Sequence, residues 1–139
     1  MSALILLRHG ESMWNAKNLF TGWVDIPLSP KGISEALAAG DEIADQPIDV
    51  IFCSTLMRAQ QTAMLAMSKH SSGQVPIMQP NDELIKERSG IYSDASLAGS
   101  IPVYTDWHLN ERYYGDLQGM NKDEARQQFG EEQIHIWRR

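Results

Sequence analysis

The sequence predicts a single α/β domain over residues 1–139, with a largely parallel sheet. Three observations predict it. A continuous apolar run at residues 3–7 stops at a glycine turn; strand-like and helix-like patterns then alternate through residue 69; and a polar, arginine-bearing loop follows each of the first two strand candidates. A chain of 139 residues buries a core without disulfide staples and suits one domain.

Taking the elements in order, Ala3-Leu4-Ile5-Leu6-Leu7 reads as a strand buried on both faces, closed by Arg8-His9-Gly10-Glu11-Ser12. Apolar or small residues then recur at helical spacing at Ile33, Ala36, Leu37, Gly40 and Ala44, with Ser29 as N-cap and Pro30 as first helical residue. Residues 49–54 form a second strand candidate. Residues 56–69 read as a second helix, with Leu56, Ala59, Ala63 and Met67 along one side. Residues 71–100 are expected to be a surface excursion carrying one short strand at Val75-Pro76-Ile77-Met78 and a helix near residues 82–88. After the tighter segment at Ile101-Pro102-Val103-Tyr104, one or two short helices are expected beyond Asn121, with Ala125, Phe129, Ile134 and Trp137 as their apolar positions.

Composition narrows the function classes. Twelve Lys+Arg against 18 Asp+Glu leave a net charge of −6, which opposes a broad nucleic-acid or anionic-lipid surface while allowing a local anion pocket. The lone cysteine, Cys53, forms no intramolecular disulfide and sits in a strand-like setting, which fits a reducing, cytoplasmic compartment. The apolar runs are far shorter than the roughly 20 residues that cross a bilayer, and no leader pattern precedes them, so the chain reads as soluble and untargeted.

In open parallel sheets, chemistry gathers at the carboxyl ends of the strands. Arg8-His9 and the loop before Arg58 both fall there. An imidazole held rigidly after a strand can attack phosphorus when one nitrogen is fixed by a hydrogen bond, and a neighbouring arginine neutralises phosphoryl oxygens. Gly10 lets backbone N–H groups approach an anion. The plainer reading, a strand-end turn whose histidine caps or packs, has equal standing on this segment alone.

The weight shifts with the rest of the chain. Arg8-His9-Gly10-Glu11-Ser12, Trp14-Asn15, Phe20-Thr21-Gly22-Trp23, Ser54-Thr55-Leu56-Met57-Arg58-Ala59, Leu109-Asn110-Glu111-Arg112-Tyr113-Tyr114-Gly115-Asp116-Leu117-Gln118-Gly119, Asn121-Lys122 and Trp137-Arg138-Arg139 together resemble the cofactor-dependent phosphoglycerate mutases of the histidine phosphatase superfamily. The resemblance runs through nearly the whole chain and is weakest at residues 71–100. The first segment alone would mark only the superfamily; the segment from Leu109 to Gly119 and the terminal Trp137-Arg138-Arg139 point to the mutase branch.

The resemblance implies a three-layer α/β/α fold, incomplete relative to the family, and a phosphohistidine formed at His9. It implies that Arg8 and Arg58 clamp the transferring phosphoryl group and that Glu111 exchanges a proton with the substrate hydroxyl. Ser12, Asn15, Thr21 and Gly22 would line the pocket. Arg112, Tyr114, Lys122, Arg138 and Arg139 would hold the carboxylate and second phosphate of a small phosphorylated three-carbon acid. The implied primer is 2,3-bisphosphoglycerate and the implied assembly a homo-oligomer; Asp and His are not clustered at ligand spacing, so no metal is expected, and charge and hydropathy leave no nucleic-acid or membrane partner expected. Singly, each residue also has an ordinary explanation: Arg58 a surface helix charge, Lys122 a helix-start charge, Arg138 and Arg139 terminal cations, Glu111 and Arg112 an exposed ion pair worth little.

The family pattern continues to a second catalytic histidine in a Gly-His-Gly type turn, and His70, His108 and His135 do not match it. Two alternatives therefore stand beside a mutase: a phosphatase of the same superfamily, and a phosphate-binding chain that is catalytically incomplete. A sheet lacking its later strands is also expected to leave an apolar edge open to self-association.

Overall fold

The computed structural model describes residues 2–90 and 93–139. Its helices are α1 (Met13–Ala16), α2 (Pro30–Ile43), α3 (Met57–Met67), α4 (Glu83–Ser89), α5 (Asp94–Ala98), α6 (Lys122–Phe129) and α7 (Glu131–Trp137). The strands are β1 (Ile51–Cys53), β2 (Val75–Met78) and β3 (Ser100–Thr105). They form a three-stranded parallel sheet in the order β1-β3-β2, with Ile51 opposite Val103 and Phe52 opposite Tyr104.

Local signals explain most of these elements. Ser29 caps α2 by accepting the Gly32 N–H, and Pro30 opens the helix where its missing donor costs nothing. Asp82 caps α4 and Asn121 caps α6 in the same way. The seam of α2 facing inward is Gly32, Ala36 and Gly40, because α3 crosses so closely that a side chain at Gly40 would meet the Ala66 backbone. The expected stripe is thus shifted, with Ile33 left exposed. α3 differs from expectation more sharply. Its buried residues are Arg58, Thr62, Ala66 and Met67, so its N-terminal half turns polar groups inward.

Val103, Ile101 and Cys53 are buried on one side of the sheet, where α3 packs against β1 and β2. The stacked pair Phe52 and Tyr104 lies on the opposite face, with Phe52 63% exposed. A second small core joins Phe20, Leu117, Ala125 and Ile134, seating α6 and α7 against the loop that follows α1.

One expectation fails. Residues 3–7 are not a strand: Leu4 is 82% and Leu6 85% exposed, and no backbone hydrogen bond ties the run to β1 or any other strand among the described residues. Apolarity promotes a buried strand only where neighbours supply a ladder on its edges and cover on its faces. The described residues supply no ladder here and only partial cover, on the side of Ile5 and Leu7.

Candidate active site

The loops after β1 and β3 are drawn together at their carboxyl ends. Asp106 N–H donates to the Cys53 carbonyl (3.0 Å), and the Asn110 side-chain oxygen accepts from both the backbone N–H and the hydroxyl of Thr55 (2.9 and 3.0 Å). Glu111 follows directly, and Arg58 enters from the first turn of α3.

Arg58 is the hub. Only 1% exposed, its guanidinium donates to the Gly22 carbonyl (2.6 Å), the Val24 carbonyl (3.0 Å) and Glu111 Oε2 (3.0 Å). A guanidinium is tolerated at such depth only when its donors are met, and its fork geometry allows several acceptors at once. Gly22 has φ +55, the left-handed turn that aims its carbonyl at Arg58. Glu111 is held twice, since its own carbonyl accepts the Trp23 indole N–H at 2.7 Å.

His9 stands beside this pair. Its Nδ1 lies 2.7 Å from the Gly10 carbonyl, which can only accept, so Nδ1 carries the proton and the neutral ring presents its lone pair at Nε2. Nε2 is 4.0 Å from Glu111 Oε2. Burial, the largest influence, holds the His9 pKa below its ordinary value; the Gly10 bond and Glu111 push it up, while Arg58 and Arg8 push it down. The neutral ring that results, protonated at Nδ1 alone, is the form able to act as a nucleophile.

The other expected site residues fall into two groups. Arg8, exposed, lines an open cleft of about 330 Å³ with His9, Gly10, Glu11, Asn15 and Glu35. Thr21 is buried, and its hydroxyl has no partner among the described residues. Lys122 lies over the Phe20 ring at 5.9 Å, its pKa lowered first by burial and then by Arg138, with Arg126 and Arg8 acting the same way and Glu111 opposing. Those influences place Lys122 in one field with Arg138, Arg8 and Glu111. Ser12 is fully buried and forms a capping box with Asn15 at the start of α1. Tyr114 packs on Phe20 at 5.1 Å. Arg112 donates to the Trp137 carbonyl (2.9 Å), which fastens the end of α7, and Arg138 and Arg139 are exposed just beyond it.

Three contributors escaped the sequence reading. Trp23 braces Glu111, Gln118 accepts the Trp23 backbone N–H at 2.8 Å, and Thr62 bonds both Gly10 and Arg58. The four-residue step from Arg58 to Thr62 was the available signal for the last, since it puts both on one helix face. Among the described residues, no group of three or more His, Cys, Asp or Glu could hold a metal ion, and no helix is long and apolar enough to cross a membrane. Two of the three remaining histidines are engaged elsewhere: His70 bonds the Gln46 carbonyl and the Ser72 hydroxyl, and His108 pairs with Asp106.

A histidine at a glycine turn, a buried arginine and a carboxylate thus stand together beside the loops that follow β1 and β3. The chain belongs to the histidine phosphatase superfamily (branch 1), whose family model matches residues 4–89. It is similar to a 2,3-bisphosphoglycerate-dependent phosphoglycerate mutase of Protochlamydia amoebophila (strain UWE25), with 59% identity over 140 residues covering 100% of this chain and 62% of that protein. The 2,3-bisphosphoglycerate-dependent phosphoglycerate mutase 1 of Arabidopsis thaliana is 55% identical over 139 residues, covering 99% of this chain and 42% of its own length. Among solved structures, Bacillus stearothermophilus YhfR superposes with a TM-score of 0.64 at 30% identity, over 94% of this chain and 50% of that one. The chain thus spans less than two thirds of the length of these relatives.

Proposed function

We propose that this chain works as a phosphoglycerate mutase, interconverting 3-phosphoglycerate and 2-phosphoglycerate through a phosphoryl group carried on His9. The observation that carries the reading is the Arg58–Glu111–His9 cluster, in which one carboxylate oxygen lies 3.0 Å from a buried guanidinium and 4.0 Å from the free nitrogen of the imidazole. Identity of 55–59% along essentially the whole chain with proteins named for this activity supports the same reading.

In this mechanism His9 Nε2 accepts the phosphoryl group while the Gly10 carbonyl keeps Nδ1 protonated. Arg58 and Arg8 neutralise the equatorial oxygens in the transition state. Glu111, within reach of both, moves the proton of the reacting hydroxyl. Thr21, with its unanswered hydroxyl, and the mutually repelling Lys122, Arg138 and Arg8 suit an acid carrying more than one anionic group. Those residues would hold 2,3-bisphosphoglycerate, which supplies the first phosphoryl group when bound. Ser12, Asn15, Gly22, Arg112, Tyr114 and Arg139 complete the pocket in this reading. A cytoplasmic, metal-independent, homo-oligomeric enzyme acting on a free metabolite, without nucleic-acid or membrane partners, fits the acidic net charge and the single buried cysteine.

A second reading is favoured by one observation: among the described residues His9 is the one histidine of the cluster, with His70 and His108 committed elsewhere. Such a chain would bind phosphate, or accept it on His9, without completing turnover. Conversion of 3-phosphoglycerate with 2,3-bisphosphoglycerate as primer, run beside His9→Ala with intact-mass detection of the adduct, separates the two. Turnover that vanishes in the variant upholds the mutase; an adduct without turnover favours the incomplete catalyst; phosphate release exceeding isomer formation favours a phosphatase.

A further inference from the structure

We propose that Thr62 is a positioning residue for His9, acting through the backbone of Gly10. The proposal rests on the reading of His9 as the nucleophile. Thr62 sits one helical turn after Arg58 on α3 and is 3% exposed. Its hydroxyl has one proton, which it donates to the Arg58 carbonyl at 2.8 Å. Toward Gly10 it can therefore only accept, and it does so from the Gly10 N–H at 3.2 Å. The polarity of the hydroxyl is consumed by these two partners, one in the helix that carries the phosphoryl clamp and one in the turn that carries the nucleophile.

Gly10 in turn orients the imidazole, because its carbonyl lies 2.7 Å from His9 Nδ1. The peptide before Gly10 is held by Thr62, and the peptide after it by Glu35, whose carboxylate accepts the Glu11 N–H at 2.9 Å. Behind the turn the packing is as close: a Cβ at Gly10 would meet the Gly32 backbone, and a Cβ at Gly32 would meet that of Glu11. Without the Thr62 hydroxyl, the His9–Gly10 peptide keeps its packing and loses the contact that sets its rotation. The acceptor at Nδ1 is then tethered from one side only, by Glu35 through the following peptide, so the proton distributes between both nitrogens and the lone pair no longer stays at Nε2.

The groups acting on the ring are Arg58 from α3, Arg8 beside it in the turn, Glu111 from the loop after β3, and the Gly10 carbonyl. Of these, Gly10 and Glu111 raise the His9 pKa. Loss of the Gly10 bond therefore moves the titration midpoint of His9 down, away from the ordinary value.

The test is nitrogen NMR of histidine-labelled wild type, Thr62→Val and Thr62→Ser, read first without any substrate. The wild type is expected to show a neutral His9 protonated at Nδ1. Thr62→Val should show a mixed tautomer and a lower midpoint, and Thr62→Ser, which keeps the hydroxyl, should restore both. With 2,3-bisphosphoglycerate as probe, adduct formation should slow roughly ten- to a hundredfold in Thr62→Val, as for a misplaced reacting group, with KM within about twofold of wild type. A Thr62→Val protein with the wild-type His9 spectrum and midpoint overturns the proposal. Should that variant not fold, amide exchange at Gly10 decides: slow exchange in wild type and Thr62→Ser supports the proposal, and exchange as fast as in an open loop overturns it. Absence of any adduct on wild-type His9 would instead count against the mutase reading, and the substrate-free spectra keep the two failures apart.

Discussion

The turn around His9 and the excursion carrying α4 and α5 are both made of short elements and loops, yet they are built on opposite plans. Around His9, hydrogen bonds join residues far apart in sequence: Gly10 to Thr62, Arg58 to Gly22 and Glu111, Trp23 to Glu111. In α4 and α5 bonds that close within one turn prevail, from Ile85 to Asp82, Lys86 to Glu83, Ser89 to Ile85 and Ser96 to Ser93, with Gln74 reaching the Ala98 carbonyl from outside, and neither helix buries a residue. Local bonds suffice to make a helix; only long-range ones fix where a side chain stands relative to another element. The site is therefore the part of the molecule in which a single group removed disturbs several elements at once.

The largest expected effect is on chemistry. His9→Ala should reduce phosphoryl uptake by about 10⁴-fold or more, the scale seen when a nucleophile is deleted, as read by intact mass after exposure to 2,3-bisphosphoglycerate. Next comes a matched removal of two cations. Arg58→Met should lower unfolding stability by about 3–5 kcal/mol, because Glu111 and the Gly22 and Val24 carbonyls lose a buried partner. Lys86→Met, which breaks the exposed pair with Glu83, should change it by less than about 0.5 kcal/mol in the same denaturant titration. Equal losses would erase the contrast between the two regions.

Caps provide a finer comparison. Ser29→Ala should cost about 1–2 kcal/mol, since Ser29 caps α2 and also donates to Glu11 beside the His9 turn, whereas Ser93→Ala at the five-residue α5 should cost a few tenths. The smallest effect is on pH dependence. The His9 pKa lies below 6.5 in the folded chain, so the unfolded chain binds the proton first. Its contribution is complete above pH 6.5, declines as pH falls from there through the folded midpoint, and is constant below it. Subtracting the pH profile of His9→Ala from that of wild type isolates the trend, and a difference that rises toward acid would contradict the burial argument.

Much of the fold was legible because its signals are local. Ser29 with Pro30, the run through Cys53, the short strand at Val75 and the helix after Asp82 each announce themselves within a few residues, and each is present. The run at residues 3–7 was misread because burial of a strand is decided by its neighbours, and a string of leucines says nothing about whether they are there. α3 was read through its apolar stripe, which overlooked that a buried arginine can be a better-satisfied core residue than an alanine when carbonyls surround it. His9, Arg58 and Glu111 could be named as candidates from motifs; that one carboxylate oxygen serves both of the others could not, because it depends on how the loops after β1 and β3 are tied.

Those ties have a kinetic consequence. The bond between Trp23 and Glu111 spans 88 residues and that between Arg58 and Glu111 spans 53, so each closes a long loop whose entropy must be surrendered before the contact returns anything. Helices α2 and α3 can form and pair early, while the carboxylate beside His9 arrives only after β3 has docked between β1 and β2. On a ribosome, the first hundred residues would emerge with His9 and Arg58 outside and Glu111 still inside the exit tunnel. The indole of Trp23, packed against Tyr113 and Trp107, would then report by its fluorescence the moment at which the two meet.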